Sequence, residues 1–181
     1  MKKLSVDLIR QVLKDAHQTY EDTMKGVNEK VLHWKPKGKA LPISALYVHG
    51  VVSEDMLLNG VVRKKERLLN RKWSMKVGLN LLHPEMDKDW EKNYTKWVKQ
   101  VRVNLTTFKK YAQAVYKETD AYLASLSDKD ILTKEVDLSM WGMKGWTIGR
   151  FVLRYLVGHI DNLTGEISAV KGLQDLKGYP F

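Results

Sequence analysis

Apolar residues return every three or four positions through most of this 181-residue chain, the spacing that gathers them on one face of an α-helix. The first such run extends from about Ser5 to Asn28, with Ile9, Val12, Ala16, Tyr20, Thr23 and Val27 as its inner stripe. Ser5 stands where an N-cap belongs, and Asp7 and Asp15 fall on the outer face. The segment HWKPKGKALP, with two prolines and a glycine, cannot continue a helix. A second run begins near Ile43 or Ser44 and reaches about Val62, its stripe made of Ile43, Leu46, His49, Gly50, Ser53, Leu57 and Gly60. Small residues at Gly50, Ser53 and Gly60 allow a neighbouring helix to come close. Residues 63–90 show no regular period and read as an irregular crossover with a short helical turn.

The third run is long, from Asp87 or Asp89 to Ser125, and carries Tyr94, Trp97, Val101, Leu105, Phe108, Ala112, Val115, Thr119 and Tyr122 on one face. A polar-to-aromatic connector, LSDKDILTKEVDLSMWGMKGW, leads to Thr147, which is placed to cap the last helix. That helix spans about Ile148 to Lys171, with Phe151, Val152, Tyr155, Leu156, His159, Leu163, Ile167 and Val170 inward. Four long amphipathic helices with two substantial connections make an all-α chain, a four-helix bundle with a long crossover connection, read as one domain over 1–181.

A hydrophobic content of 44% is ordinary for a chain that buries a core. No cysteine occurs, which excludes disulfides, thiol nucleophiles, iron–sulfur clusters and cysteine-type zinc sites. The N-terminal stretch has no continuous apolar run of the signal-peptide kind, and no apolar stretch approaches the ~18–20 residues of a membrane span. The expectation is a soluble, cytoplasmic protein. The net charge of +10 raises nucleic acid as a partner, but the lysines are scattered. The one dense cluster is RKKER at 63–67, followed by Arg71 and Lys72. No aromatic residues alternate with these bases to stack on nucleotides, and nucleic-acid binding ranks last.

The chemistry that remains rests on histidine. His49 and His159 fall on the inner stripes of different helices, the arrangement from which bundles build metal sites. The ordinary alternative is a pair of hydrogen-bonded core histidines. His17 sits at the edge of the first stripe, His33 in a connector beside Trp34, and His83 before Pro84, where it reads as part of a turn. Glu54 and Asp55 read as a solvated acidic face. Glu166, near the inner edge of the last helix, could orient a histidine or stand on the surface. Trp141 and Trp146 flank MWGMKGW, as packing at the bundle end or as the mouth of a pocket. Phosphate loops, nucleophile elbows and H-E-x-x-H pairs are missing from the sequence.

Several of these segments, in order, resemble the DinB-like (DinB/YfiT-like) superfamily. LHWKP followed by ALPISALYVHGVVSEDMLLNGVV is similar to that family's Trp-x-Pro connector and second helix, with His49 at the first metal-ligand position. YKETDAYLASLSDKDI is similar to the end of its third helix and the Leu-Ser-Asp turn. WTIGRFVLRYLVGHIDNLTGEISAVKGLQ is similar to its last helix, whose usual form is His-x-x-x-His-x-Gly-(Gln/Glu)-Ile. The resemblance implies a bundle holding a divalent metal, nickel or zinc, on three histidines. It also implies thiol-dependent S-transferases or isomerases among the characterised members, and frequent homodimers. His49 and His159 match two of the ligands. The third position holds Leu163, whose alkyl side chain cannot coordinate, so an occupied site would carry little metal; His17 and Glu166 are the conceivable substitutes.

Two readings therefore stand. In one, the chain is a divalent-metal-dependent enzyme of thiol S-transferase or hydrolase type with an incomplete histidine site and a small thiol or other small-molecule substrate. In the other, it is a metal-poor, non-enzymatic protein that binds a small ligand or acts as a dimeric interaction module.

Overall fold

The computed structural model describes residues 3–181. Its described residues are helical, joined by loops with three isolated β-bridges and no strand. Helix α1 (Leu4–Thr23) leads through a short α2 (Glu29–Leu32) to α3 (Ile43–Asp55), which continues without a break as a π-helical segment, Met56–Val62. A second π-helical segment, Leu69–Trp73, lies in the crossover. Then come α4 (Trp90–Gln100), α5 (Leu105–Ser125), the short α6 (Asp128–Thr133) and a 3-10 turn at Ser139–Trp141. The last helix has three parts, α7 (Ile148–Phe151), a π-helical segment (Val152–Val157) and α8 (Gly158–Gly172). α5 and α8 each pack against both α1 and α3, which closes the four-helix bundle.

Several helix boundaries differ from the periodicity, each for a local reason. α1 begins at Leu4 with Lys3 in the cap position, so Ser5 lies inside the first turn and does not cap. The chain leaves α1 after Thr23 through Gly26, whose φ of 77° suits only glycine comfortably. Asn28 then caps α2, its side chain accepting from the backbone N–H of Val31. The orphan carbonyls at the end of α1 are satisfied from across the bundle: buried Lys171 donates from Nζ to Thr23 O at 2.7 Å and Lys25 O at 3.0 Å.

The long third run is two helices. Val101–Asn104 leaves the helix because its backbone is claimed elsewhere. Val103 bridges Leu79 and donates its N–H to His33 Nε2 at 3.0 Å, and Asn104 N–H donates to Gly78 O. The Asn104 side chain then accepts from Thr107 N–H and starts α5 afresh. The connector before the last helix is ordered in the same way. Ser127 and Asp130 form a reciprocal capping box on α6, and Thr147 caps α7 as its position implied.

α3 is the central element. Its stripe extends right round the helix: His49 is the only residue from Ile43 to Asp55 that is not fully buried. Burying polar groups there requires partners. Glu54 and Asp55, expected on a solvated face, are 2% and 0% exposed. Glu54 accepts from Thr119 Oγ1 and pairs with His17 Nε2, both at 2.6 Å. Asp55 takes four hydrogen bonds. Oδ1 accepts from Leu68 N–H (3.0 Å) and Asn59 Nδ2 (2.7 Å), and Oδ2 from Leu69 N–H (2.9 Å) and Tyr111 Oη (2.8 Å). Tyr20 approaches α3 closely enough to donate to the carbonyls of Leu46 and Tyr47 at 3.0 and 3.2 Å. Only a glycine at position 50 leaves it room, because a Cβ there would lie 2.5 Å from Tyr20 Oη and 3.0 Å from Leu163 Cδ1.

The basic cluster at 63–71 is engaged within the fold. Arg63 and Arg71 both reach Glu118 at 2.7 Å, Lys64 lies 3.4 Å from Asp137, and buried Arg67 pairs with Glu85.

Asp55 is the polar group whose removal disturbs most. Asp55→Ala leaves the N–H groups of Leu68 and Leu69 and the Tyr111 hydroxyl without their acceptor inside the core, and should cost roughly 3 kcal/mol or more. Tyr111→Phe, which removes one donor, should cost only about 1 kcal/mol. Urea unfolding of the two variants measures both, and an Asp55→Ala protein as stable as the parent would contradict this account.

Candidate functional site

α3 and α8 bring their inward histidines face to edge: the rings of His49 and His159 stand 5.0 Å apart at 82°. Each follows or precedes a π-helical segment, Met56–Val62 two turns beyond His49 and Val152–Val157 just before His159. The wider π turn shifts the side chains after it relative to an α-helix, and such segments collect at functional sites. Met56 and Leu57 of one segment and Tyr155 of the other line the same cavity.

That cavity holds about 550 Å³. Its floor is His49, Ser53 and His159, and its walls are Met56, Leu57, Met86, Trp90, Tyr94, Trp141, Met143 and Tyr155. No lysine, arginine, aspartate or glutamate lines it. Other hollows are larger, two of them of about 660 and 670 Å³ and a third, beside His33, of about 560 Å³. The first is a charged groove between α1 and α5 that includes Arg10, Lys14, Glu21 and Asp120. The second is a shallow surface around Ile131, Trp146 and Arg150. None of these gathers more than one histidine, and the smaller cavity is the candidate site on its chemistry.

A third histidine, read from the sequence as part of a turn, belongs to this cluster. His83 is 5% exposed, and its Nε2 lies 3.0 Å from His49 Nδ1. Its own Nδ1 lies 3.0 Å from the carbonyl oxygen of Pro84. An aromatic wall from α4 holds it: Trp97 at 4.8 Å, Trp90 at 5.3 Å and Tyr94 at 5.8 Å between ring centroids. Ser53 Oγ, one turn along α3, lies 3.3 Å from the same His49 nitrogen. Trp141 lines the pocket mouth, whereas Trp146 packs outside it under the Arg150 guanidinium, 3.8 Å from the ring centre.

The site is held uncharged. Burial, with the neighbouring His83 and His159, pushes the His49 imidazole down to about 3. Burial pushes His83 down to about 4; the Pro84 carbonyl opposes this and the charge of Arg67 adds to it. Burial lowers His159 as well. Burial, together with the charge of Glu166, raises the Tyr94 phenol to about 12. Removing an ionised group from water is costly, so each of these groups stays in its neutral form near pH 7.

The other sequence candidates lie elsewhere. His17 pairs with Glu54 and stacks on Tyr116 at 3.9 Å, in the groove between α1 and α5. His33 Nε2 accepts from the backbone N–H of Val103. Glu166 is exposed and, among the described residues, hydrogen-bonds no histidine. Leu163 is 4% exposed and packs toward Gly50, beside His49 on α3. Two imidazoles and a leucine therefore stand where three histidines are implied. Among the described residues, no group of three His, Asp or Glu side chains is arranged to hold a metal ion. The donor set does not fit a three-histidine metal.

His83 was hidden because residues 63–89 carry no period that would place it. The trace it leaves in the sequence is indirect: Trp90, Tyr94 and Trp97 share one face of the next helix and need an aromatic partner.

The solved structure of a conserved protein from Enterococcus faecalis matches with a TM-score of 0.73 over 95% of this chain and 99% of that one, at 19% identity. At that identity the likeness speaks for the fold. No curated protein matches the chain. No helix among the described residues is long and apolar enough to cross a membrane. The sequence model of the DinB superfamily matches residues 13–162, a span that holds His49, His83 and His159 together, and the chain belongs to that superfamily.

Proposed function

We propose that this DinB-superfamily chain binds an uncharged, largely apolar small molecule in the cavity between α3, α4 and α8, with His49 and His159 as its polar contacts. The observation that carries this reading is the lining. It is a pocket of about 550 Å³, walled by aromatic and methionine side chains, in which burial favours the neutral forms of His49, His159 and Tyr94. That volume suits a drug-sized ligand, and walls of this kind fix it by shape while a few polar groups orient it. A charged ligand would lose its hydration against walls that offer no counter-charge. Tyrosine and tryptophan faces supply stacking area, and the unbranched methionines adapt to its edges.

The enzyme reading, a thiol S-transferase or hydrolase, needs a metal to lower the pKa of a bound thiol or water. His49 and His159 would be its ligands, and their juxtaposition favours a residual, weak affinity for nickel or zinc. A pair of imidazoles alone holds such an ion poorly, because stable sites take three or more protein ligands.

Benzyl alcohol, benzoate and benzylamine test the preference for neutral ligands, since they share a ring and differ in charge. In protein labelled at its methionine methyl groups, benzyl alcohol should shift Met56, Met86 and Met143 and leave Met75 unmoved. It should bind at least about tenfold more tightly than either ion, a difference of 1.4 kcal/mol. Equal affinity for benzoate or benzylamine, or shifts confined to other methionines, would defeat the reading.

Neutral burial of the histidines also fixes a pH dependence of stability. Both folded values, about 3 for His49 and about 4 for His83, lie below the unfolded value near 6.5. Above pH 6.5 both states are neutral and these groups give no slope. As pH falls from 6.5 towards 4, the unfolded chain takes up protons that the native protein refuses, so stability drops. Each histidine contributes up to about 1.4 kcal/mol per pH unit. Urea unfolding between pH 7.5 and 5 should show the drop, and His83→Gln should flatten it.

Leu163→His addresses the metal directly. Titration calorimetry with nickel should show weak binding by the parent protein and at least about a tenfold gain in the variant. Tight, stoichiometric binding by the parent that vanishes in His49→Ala would instead favour the metalloenzyme.

A further inference from the structure

His83 lies outside the cavity lining, yet it makes the closest polar contact of His49, and the proton count of that contact can be worked out. A carbonyl oxygen only accepts. His83 Nδ1, 3.0 Å from Pro84 O, therefore carries a hydrogen. The contact between His83 Nε2 and His49 Nδ1, also 3.0 Å, needs one proton between two nitrogens. Placing it on His83 would make that ring an imidazolium, buried against the Trp90, Tyr94 and Trp97 rings with no carboxylate in contact among the described residues. Placing it on His49 leaves both rings neutral. His49 Nδ1–H then donates to His83 Nε2, with Ser53 Oγ at 3.3 Å as a second, longer acceptor.

We propose that His83 is a positioning residue: through the chain Pro84 C=O, His83, His49 it fixes His49 in the Nδ1–H tautomer, so that the edge of His49 left for the pocket bears a bare Nε2. The consequence for the ligand follows from hydrogen-bond polarity. A bare imidazole nitrogen accepts, so the molecule in the cavity presents a donor to His49, such as a hydroxyl, an amide N–H or a ring N–H. A ligand whose only polar group is an ether or ketone oxygen would meet a lone pair instead. This specificity rests on the pocket reading given above, but the tautomer does not.

The same logic separates His83 from a residue that merely fills space. His83→Ala removes the acceptor. His83→Gln can restore one, because its side-chain carbonyl can take the His49 proton. Both changes keep the residues of the aromatic wall, Trp90, Tyr94 and Trp97, which pack on His83 in the parent.

The test is ¹⁵N NMR of the imidazole nitrogens at pH 7.5, where protonated and bare nitrogens have well-separated shifts. The chain has five histidines, so the spectrum can be assigned by single substitutions. In the parent protein, His49 should show a protonated Nδ1 and a bare Nε2, and His83 a protonated Nδ1. His83→Ala should turn His49 into a mixture of tautomers, and His83→Gln should restore the parent pattern. Benzyl alcohol affinity should fall at least threefold in His83→Ala and recover in His83→Gln, whereas anisole, which lacks a donor, should bind weakly to all three. A parent His49 protonated at Nε2, or a His49 pattern unchanged by His83→Ala, would overturn the proposal. So would zinc, added to the parent protein, shifting His49 Nδ1 and His83 Nε2 together, because the two nitrogens would then share an ion and not a proton. If His83→Ala does not fold, the parent spectrum and His83→Gln still decide the tautomer. Failure of benzyl alcohol to bind the parent, with the tautomer as stated, counts against the pocket reading alone.

Discussion

A fully buried carboxylate, Asp55, ties the crossover to the central helix. It stands at the end of α3, where the helix passes into its π-helical continuation, and its two oxygens accept four hydrogen bonds. Two come from the backbone of Leu68 and Leu69, so the carboxylate acts as a helix cap supplied from another element. One comes from Tyr111 on α5. The crossover is thereby fixed against α3 and α5 before it runs on to α4. A carboxylate in the core is tolerable because every bond it makes replaces one it had to water. The polar interior of α3 follows the same rule at Glu54, which His17 and Thr119 satisfy.

This anchoring gives the pocket its third wall. α3 and α8 alone would leave His49 and His159 facing open space at one end of the bundle. The anchored crossover returns with His83, and α4 follows with Trp90, Tyr94 and Trp97. Burial among these side chains favours the neutral form of all three imidazoles, and that neutrality bears on what the site can do. An uncharged histidine with one bare nitrogen is an acceptor or a metal ligand, while a protonated one would be neither. Leu163, buried and packed toward Gly50, supplies no ligand atom beside the imidazoles.

Part of the dense basic cluster is engaged within the fold, although ion pairing leaves the net charge of +10 unchanged. In the one dense cluster, four cations face acids from elsewhere in the fold: Glu118 receives both Arg63 and Arg71, Asp137 faces Lys64, and Glu85 pairs with Arg67. These residues fasten the crossover to α5 and to the loop before α7. Such pairs hold position more than they add stability, since exposed ion pairs contribute little.

The bundle, its central helix and the pairing of His49 with His159 were legible in the amino-acid order, because an amphipathic stripe repeats with the period of the helix itself. Thr147 was legible for a related reason, as a cap acts within one turn. What the order alone did not determine lies where contacts are long-range. Glu54 and Asp55 read as a solvated pair because their partners, His17, Thr119, Tyr111 and the backbone at 68–69, are distant in the chain. The third helix breaks at Val101–Asn104 although its stripe runs on, because Leu79, Gly78 and His33 claim that backbone. His83 sits in a segment without period, and only the packing of the crossover on α3 could bring it to His49. Periodicity encodes which face turns inward; it carries no information about which distant group will be waiting there, and that was decided by the tertiary structure.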